Sequence, residues 1–299
     1  MNEVFDIAVI GSGPAGLTAA IYTTRGSAKT ILFAGESWGG QLMLTTLVEN
    51  YPGFPDGIQG PDLMANMRKQ TENVGAKIVN EKVTSVDFSS KPFTINNSYK
   101  AKVVIIATGA ETVWLGVPGE QKLIGRGVSS CAPCDAPFFK NKKVAVVGGG
   151  DSAMEEALVL EKVASEVTIL CRKDVFRASK IMQEKVLKNP KIKVMFNTEI
   201  KEMVGDQKLE KLILNNGELV VDGVFVAIGH SPSSNIFQGK IELDEKGFIK
   251  MFEKDGYHTL TSVEGVFVAG DVHDYHYKQA ITAAGLGCMA ALDALKYLG

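Results

Sequence analysis

Short apolar runs closed by glycine set the rhythm of this chain. Ile7-Ala8-Val9-Ile10, Thr30–Ala34, Val103–Ala110, Val144–Val147, Val167–Leu170, Gly223–His230 and Gly265–Asp271 carry almost no polar side chain in their centres. Uninterrupted runs of this length predict strands buried on both faces of a parallel sheet. Between them, Leu17–Arg25 and Met154–Lys162 have helical spacing, and Asp62–Gly75 reads as an amphipathic helix. Lys77–Phe88 and Phe93–Tyr99 predict two antiparallel strands. Ala280–Leu292 is the most apolar stretch; it is too short to span a bilayer, carries Gly285 and Gly287, and reads as a buried core helix.

Three of the strands end alike, in Ala107-Thr108-Gly109, Ala227-Ile228-Gly229 and Ala269-Gly270. Two close one domain and one closes another, which implies an internal duplication with the second copy inserted in the first. Crossings fall near Ala110–Val117 and His230–Ile236, where Pro, Gly and Ser permit a hinge. The expectation is an α/β fold of two Rossmann-like domains, each of the three-layer ββα type, the second inserted into the first. Residues 1–112 and 241–299 form the discontinuous domain, and 113–240 form the inserted one.

Two glycine loops follow two of the strands. In Gly11-Ser12-Gly13-Pro14-Ala15-Gly16, the first glycine permits the tight turn and Gly13 lets a pyrophosphate approach the backbone. Gly16 lets the helix pack on the strand, with its N-terminus toward the phosphates. An acid about 20 residues further on should hold a ribose hydroxyl. Glu36 fits that position loosely, and a solvated loop acid describes it equally well. Gly39-Gly40-Gln41-Leu42 and the Val48–Gly53 loop with Asn50 are amide-rich and suited to wrapping a large neutral ring. The second loop is Gly148-Gly149-Gly150-Asp151-Ser152-Ala153, with alanine at the third fingerprint position. Near its acidic position stand Arg172, Lys173 and Arg177. Cations there favour the 2′-phosphate of NADPH over the free hydroxyl of NADH; the competing reading is a solvated basic surface.

Composition narrows the class. The chain has 299 residues, 45% of them hydrophobic and 22% charged, and a net charge of −2, which points to neither nucleic acid nor a membrane surface. The acidic N-terminus runs straight into a strand pattern, unlike a signal or transit peptide. Four cysteines do not make a secreted disulfide framework, so a cytoplasmic location is expected.

Two of those cysteines form Cys131-Ala132-Pro133-Cys134-Asp135, between the two glycine loops. The spacing suits a redox dithiol or half a zinc site. Zinc would need two more ligands. Cys171 and Cys288 are isolated, and His273 and His276 follow Asp271 in what reads as a cofactor loop, so no metal is expected. In a dithiol, one thiol attacks the partner and the other exchanges electrons with the cofactor; Asp135 is placed to carry the proton.

With these residues assembled, the chain resembles the bacterial-type, low-molecular-weight NADPH thioredoxin reductases over nearly its whole length. The resemblance rests on GSGPAG at Gly11, GGQL at Gly39, VENYPG at Val48, CAPCD at Cys131, GGGDSA at Gly148 and CRKDVFR at Cys171. FVAIGHSP at Phe225 and the long run from Gly265 complete it. It implies FAD in the discontinuous domain and NADPH in the inserted one, a homodimer, and thioredoxin or a similar dithiol protein as partner. Nucleic acid and membrane are not implied. Cys134 becomes the flavin-facing thiol, Cys131 the attacking one, and Asp135 the acid and base. The resemblance assigns FAD to the Gly11–Ala15 loop, Glu36, Gly40, Gln41, Leu42, Asn50, Val83, Ala107, Thr108, Gly109, Asp271, Lys278, Gln279 and Ala280. It assigns NADPH to Gly148, Gly150, Asp151, Ser152, Ala153, Glu155, Arg172, Lys173, Arg177, Ile228, Gly229 and His230.

It also implies that the inserted domain rotates, since the dithiol and the nicotinamide must reach one flavin face in turn. Pro133 and Ala136 depart from the family pattern, which usually has Thr or Val and Gly there. Cys171 and Lys173 stand where the family has His and Arg. A different dithiol protein or a low-molecular-weight disulfide as acceptor, and a nucleotide-binding protein without catalysis, are the other readings.

Overall fold

The computed structural model describes residues 3–299 and divides into two compact units, Met1–Glu111 with Ser231–Gly299, and Thr112–His230. The return crossing at His230 falls at the start of the segment His230–Ile236 expected to carry it, and ahead of the expected domain bound at residue 240. Phe237 and Ile241 explain the difference: both are buried in an apolar core of the first unit. The crossing strands Ala110–Thr112 and His230–Pro232 pair as a two-stranded ribbon.

The first unit is organised by a nine-stranded sheet. Its parallel centre runs Val266–Val268, Tyr99–Ile106, Val4–Ile10, Thr30–Phe33 and Lys77–Val79. Ile10 lies opposite both Phe33 and Ile106, so three strands end level and open their C-terminal edge to one set of loops. Both faces are dry. Ile7, Val9, Val103, Ile105 and Phe267 pack on one side, under the helices Pro14–Arg25 and Ala280–Leu298; Ala8, Val104, Ile106, Val266 and Val268 fill the other. This is why the apolar runs do not alternate.

Two expectations fail here. Lys77–Phe88 is not one strand: Lys77–Val79 joins the parallel sheet, residues 80–85 leave it, and Val86–Asp87 pairs antiparallel with Phe93–Ile95. The polar run Asn80-Glu81-Lys82 has no apolar alternation to hold it in the sheet. Phe93–Tyr99 is likewise a hairpin, because Asn96 and Asn97 take φ of 48° and 55° and turn the chain from Phe93–Ile95 into Tyr99–Ile106. Asparagine tolerates the left-handed region that the first two positions of this three-residue loop, Asn96–Ser98, require. The C-terminal helix also differs. It extends over 19 residues, Ala280–Leu298, which by length and composition is enough to cross a membrane. It is buried along one face only: Ala283, Ala290 and Ala294 are covered, whereas Ile281, Met289 and Leu292 are exposed.

The second unit carries a five-stranded parallel sheet ordered Val128–Ser129, Gly223–Val226, Lys143–Val147, Glu166–Leu170 and Ile192–Met195. Val144, Val146, Val167 and Ile169 face the helix Asp151–Leu160 through Met154, Ala157 and Leu160. Ala145, Leu170, Val224 and Val226 face an antiparallel sheet of Ile200–Val204, Lys211–Leu214 and Gly217–Val220. A covering helix layer, a parallel sheet and a smaller antiparallel sheet make the three layers.

Candidate active site

In the first unit the chain leaves the strand Val4–Ile10 at Gly11, whose φ is +116°; a Cβ there would stand 2.2 Å from the Ala107 carbonyl oxygen. At Gly16 a Cβ would stand 1.9 Å from the Gly11 carbonyl oxygen, so the loop closes on its own helix only without a side chain. Gly13 faces open space, as close approach of a pyrophosphate requires. Pro14 and Ala15 then open the helix. Buried Ser12 donates to the Ala34 carbonyl at 2.7 Å and accepts from the Gly39 amide at 3.0 Å. That tie sets the short turn Gly40–Leu44, with Gln41 and Leu42, against the fingerprint.

Other candidates gather at the same sheet edge. Ala107, Thr108 and Gly109 follow Tyr99–Ile106, and the Thr108 hydroxyl donates to the Ser233 carbonyl at 2.7 Å. The Asn50 amide donates to Gln279 Oε1 at 3.3 Å, and Gln279 forms a capping box with Thr282 ahead of Ala280. Asp271 is half-buried, and its buried Oδ1 has no hydrogen-bond partner. Burial, helped by the neighbouring Asp274 and opposed by Lys278, pushes its carboxyl up to about 7. An orphaned buried acceptor is costly unless a ligand satisfies it. Val83 is buried, and Glu36 is exposed beyond the end of Thr30–Phe33. The open backbone at Gly13, the amide-rich loops and the orphaned carboxyl fit FAD, whose pyrophosphate, hydroxyls and large neutral ring need those groups.

The second unit repeats the plan with a different finish. Gly148 has φ +148°, and a Cβ there would stand 2.5 Å from the Ala227 carbonyl oxygen and 2.8 Å from the Ala153 methyl. Gly150 faces open space. Ser152 and Glu155 are exposed on the first turns of the helix. Asp151 accepts from the Ser179 amide at 2.9 Å, a bond that holds its carboxyl below the usual range. The Arg177 and Ala178 amides both donate to the Gly149 carbonyl, at 2.7 and 3.1 Å, which fixes Arg177 beside the loop. Arg172, Lys173 and Arg177 are exposed and make no ion pair among the described residues. Cys171 is buried beneath Gly149. Ile228 and Gly229, whose φ is +128°, lead into His230 at the crossing. A glycine turn with unengaged cations beside it fits a coenzyme bearing an extra phosphate.

Cys131 and Cys134 are joined in a disulfide, their Cα atoms 5.3 Å apart. Ala132–Asp135 forms one helical turn, in which the Cys134 and Asp135 amides donate to the Cys131 carbonyl at 3.2 and 3.1 Å. Ser129, at the end of the edge strand Val128–Ser129, accepts from the Cys131 amide at 3.1 Å and hydrogen-bonds Asp135. Burial pushes the Asp135 carboxyl above the usual range, while the Ser129 bond acts against it. Glu156, on the helix Asp151–Leu160, accepts from the Ala132 amide. Sequence reasoning missed Ser129 and Glu156. Neither belongs to a motif with a mechanism of its own, and the contact between Glu156 and Ala132 exists only because two helices pack.

The chain matches the pyridine nucleotide-disulphide oxidoreductase family over residues 5–287. It is 49% identical to a thioredoxin reductase of Streptomyces coelicolor, covering 100% of this chain and 95% of that protein. It is 52% identical to one from Rickettsia typhi, covering 100% and 99%. Among solved structures, thioredoxin reductase from Giardia duodenalis superposes with a TM-score of 0.93 at 40% identity over 99% of each chain. The one from Streptococcus pyogenes gives 0.93 at 36% over 100% of this chain and 99% of that one.

Proposed function

This chain belongs to the pyridine nucleotide-disulphide oxidoreductase family, and from that membership we propose how its residues divide the work of a thioredoxin-disulfide reductase. The enzyme is an NADPH-dependent flavoprotein, with thioredoxin as its substrate partner. When bound, FAD passes the electron pair of NADPH to the enzyme's disulfide. The Gly11–Ala15 loop, Gly40–Leu42, Asn50, Val83, Ala107–Gly109, Asp271 and Lys278–Ala280 hold the flavin, with Glu36 at the outer edge. Gly148, Gly150, Asp151–Ala153, Glu155 and Ile228–His230 hold the coenzyme, and Arg172, Lys173 and Arg177 select its phosphate.

The disulfide within one helical turn carries this reading. Once reduced, Cys131 as thiolate attacks one sulfur of the thioredoxin disulfide. A mixed disulfide forms and the other thioredoxin sulfur leaves as a thiolate. Cys134 then attacks Cys131, releasing reduced thioredoxin and restoring the enzyme disulfide. Asp135, whose buried carboxyl holds its proton above the usual range, supplies a proton to a departing thiolate.

The test is trapping. Cys134→Ser, reduced and mixed with oxidised thioredoxin, should accumulate a mixed disulfide at Cys131; Cys131→Ser should not. The reverse pattern overturns the assignment of roles. A colourless purified protein that NADPH leaves unchanged overturns the catalytic reading altogether.

Two coarser features complete the proposal. The apolar stripe of Ile281, Met289 and Leu292, together with Tyr22 on the neighbouring helix, receives a second copy of the chain. Leu292→Asp should then shift the sedimenting species from dimer to monomer. Free Cys171 and Cys288 suit a reducing compartment such as the cytoplasm.

A further inference from the structure

We propose that Arg68 is a positioning residue for the adenosine end of the flavin, acting through Trp38 and Asn80. The inference rests on FAD being held by the first unit. A fingerprint after Val4–Ile10 takes the pyrophosphate, and the end of the next strand, Thr30–Phe33, takes the adenosine ribose. The loops after Thr30–Phe33 and its outer neighbour Lys77–Val79 therefore border the adenosine. Ala107–Gly109 and Asp271 follow strands on the opposite side of Val4–Ile10 and border the other end of the flavin.

The two adenosine-side loops are tied by backbone where they leave the sheet. The Ala34 amide donates to the Val79 carbonyl at 2.8 Å and the Gly35 amide to the Glu81 carbonyl at 3.2 Å. Residues 36–38 then run free of the sheet, with Glu36 exposed, until the Gly39 amide reaches Ser12 at 3.0 Å. Arg68, on the helix Gly60–Asn73, closes over this stretch: its guanidinium carbon lies 4.8 Å from the centroid of the Trp38 ring. Its Nη2 donates to Asn80 Oδ1 at 3.0 Å, and its Nε to Glu72 Oε1 at 3.3 Å. A planar fork can stack on a ring and hold an amide oxygen at once. The side chain is 19% exposed, so the stack on Trp38 is largely screened from water and worth more than an exposed one.

Arg68 thus joins the loop that carries Glu36 to the loop that begins at Asn80. It acts on the wall that the adenosine meets, through Trp38 and Asn80. Without the guanidinium, the backbone anchors at Gly35 and Gly39 remain, and the stretch carrying Glu36 between them loses its side-chain clamp. Binding must then order that stretch, which costs affinity.

The test is a fluorescence titration of the full chain, freed of flavin, with FAD, and with ADP and FMN as competitors. ADP carries the adenosine without the flavin ring; FMN carries the ring without the adenosine. Arg68→Met keeps the aliphatic bulk and removes the fork. It should weaken FAD and ADP alike, by about tenfold, and leave FMN unchanged. Arg68→Lys keeps the charge without the flat fork, and serves also where Arg68→Met does not accumulate. It should weaken ADP as well, by a smaller factor, with FMN again unchanged. If FAD, ADP and FMN all weaken by one factor, or none weakens, Arg68 does not position the adenosine and the proposal falls. Parent affinity for ADP in Arg68→Lys overturns it too, since charge alone would then suffice. A parent chain that takes up no FAD overturns the flavin reading, and this inference with it.

Discussion

Gly11 and Gly148 occupy the same place in the two units, at the end of a central parallel strand and ahead of a packed helix. The surroundings differ. Around Gly11 the loop is tied on several sides: Ser12 bridges Ala34 and Gly39, Asn50 reaches Gln279, and half-buried Asp271 holds a buried, unsatisfied oxygen. Around Gly148 the loop is tied to the segment Arg177–Ser179, and the distinguishing chemistry lies at the rim, in three exposed cations with no ion-pair partner among the described residues. A built, buried cradle suits a group that stays through every turnover. An open turn with surface charges suits a coenzyme that must leave after each hydride transfer. The same backbone plan serves retention or exchange according to what the flanking side chains bury.

The harshest way to break the contrast is to crowd the closest backbone approach in the first cradle. Gly16→Ala would place a methyl 1.9 Å from a backbone oxygen, where nothing flexible can yield. The protein should purify without flavin or fail to accumulate, read as the flavin-to-protein absorbance ratio. The matching change in the second unit, Ala153→Gly, should cost only about 0.5–1 kcal/mol of stability. Equal damage from both would show that the loops are tuned alike.

Asp271 offers a subtler lever. Its ordinary carboxyl value is 3.8, and the folded, flavin-free protein raises it to about 7. Well below pH 3.8 it is protonated whether folded or not. As pH rises, the unfolded chain ionises first, so folding stability falls until the pH passes about 7. The loss should be on the order of a few kcal/mol, and Asp271→Asn should flatten it. Urea unfolding of flavin-free protein at pH 5 and pH 8 measures this; an identical slope in both proteins would assign it to other groups.

In the second unit, Arg172→Ala should raise the NADPH KM about ten- to a hundredfold, from loss of roughly 1.5–3 kcal/mol of charge-assisted contact. The NADH KM should change little. Equal losses for both would mean that Arg172 supports the loop rather than reading the phosphate.

The legibility of these features follows their range. The strands, both fingerprints and the cysteine pair are local patterns, and each lies in a described element or loop. What escaped was set by partners distant in sequence. Lys77–Val79 could be seen as extended, but not that it would join the parallel sheet while Val86 turned to a hairpin. The boundary near His230 depends on where Phe237 finds its core. Glu156 looks like any helix glutamate until the dithiol turn packs beside it. Asn96-Asn97, by contrast, is a local turn signal that the sequence itself carries.

The smallest expected effect gives the sharpest measure of the open site. Lys173 is exposed and brings a point charge to the phosphate cluster, whereas an arginine would present a planar fork. Lys173→Arg keeps the charge and changes only its geometry. An exposed contact of this kind is worth about 0.4–1 kcal/mol, so the NADPH KM should fall about two- to fivefold. NADH kinetics should stay unchanged, because the free ribose hydroxyl offers the fork no second oxygen. If the phosphate were gripped as tightly as the first cradle grips its ligand, release would already limit turnover, and a better fork would lower kcat along with KM. A fall in KM with kcat unchanged therefore supports an exchanging rim, and a parallel fall in both would show that the second unit also retains what it binds.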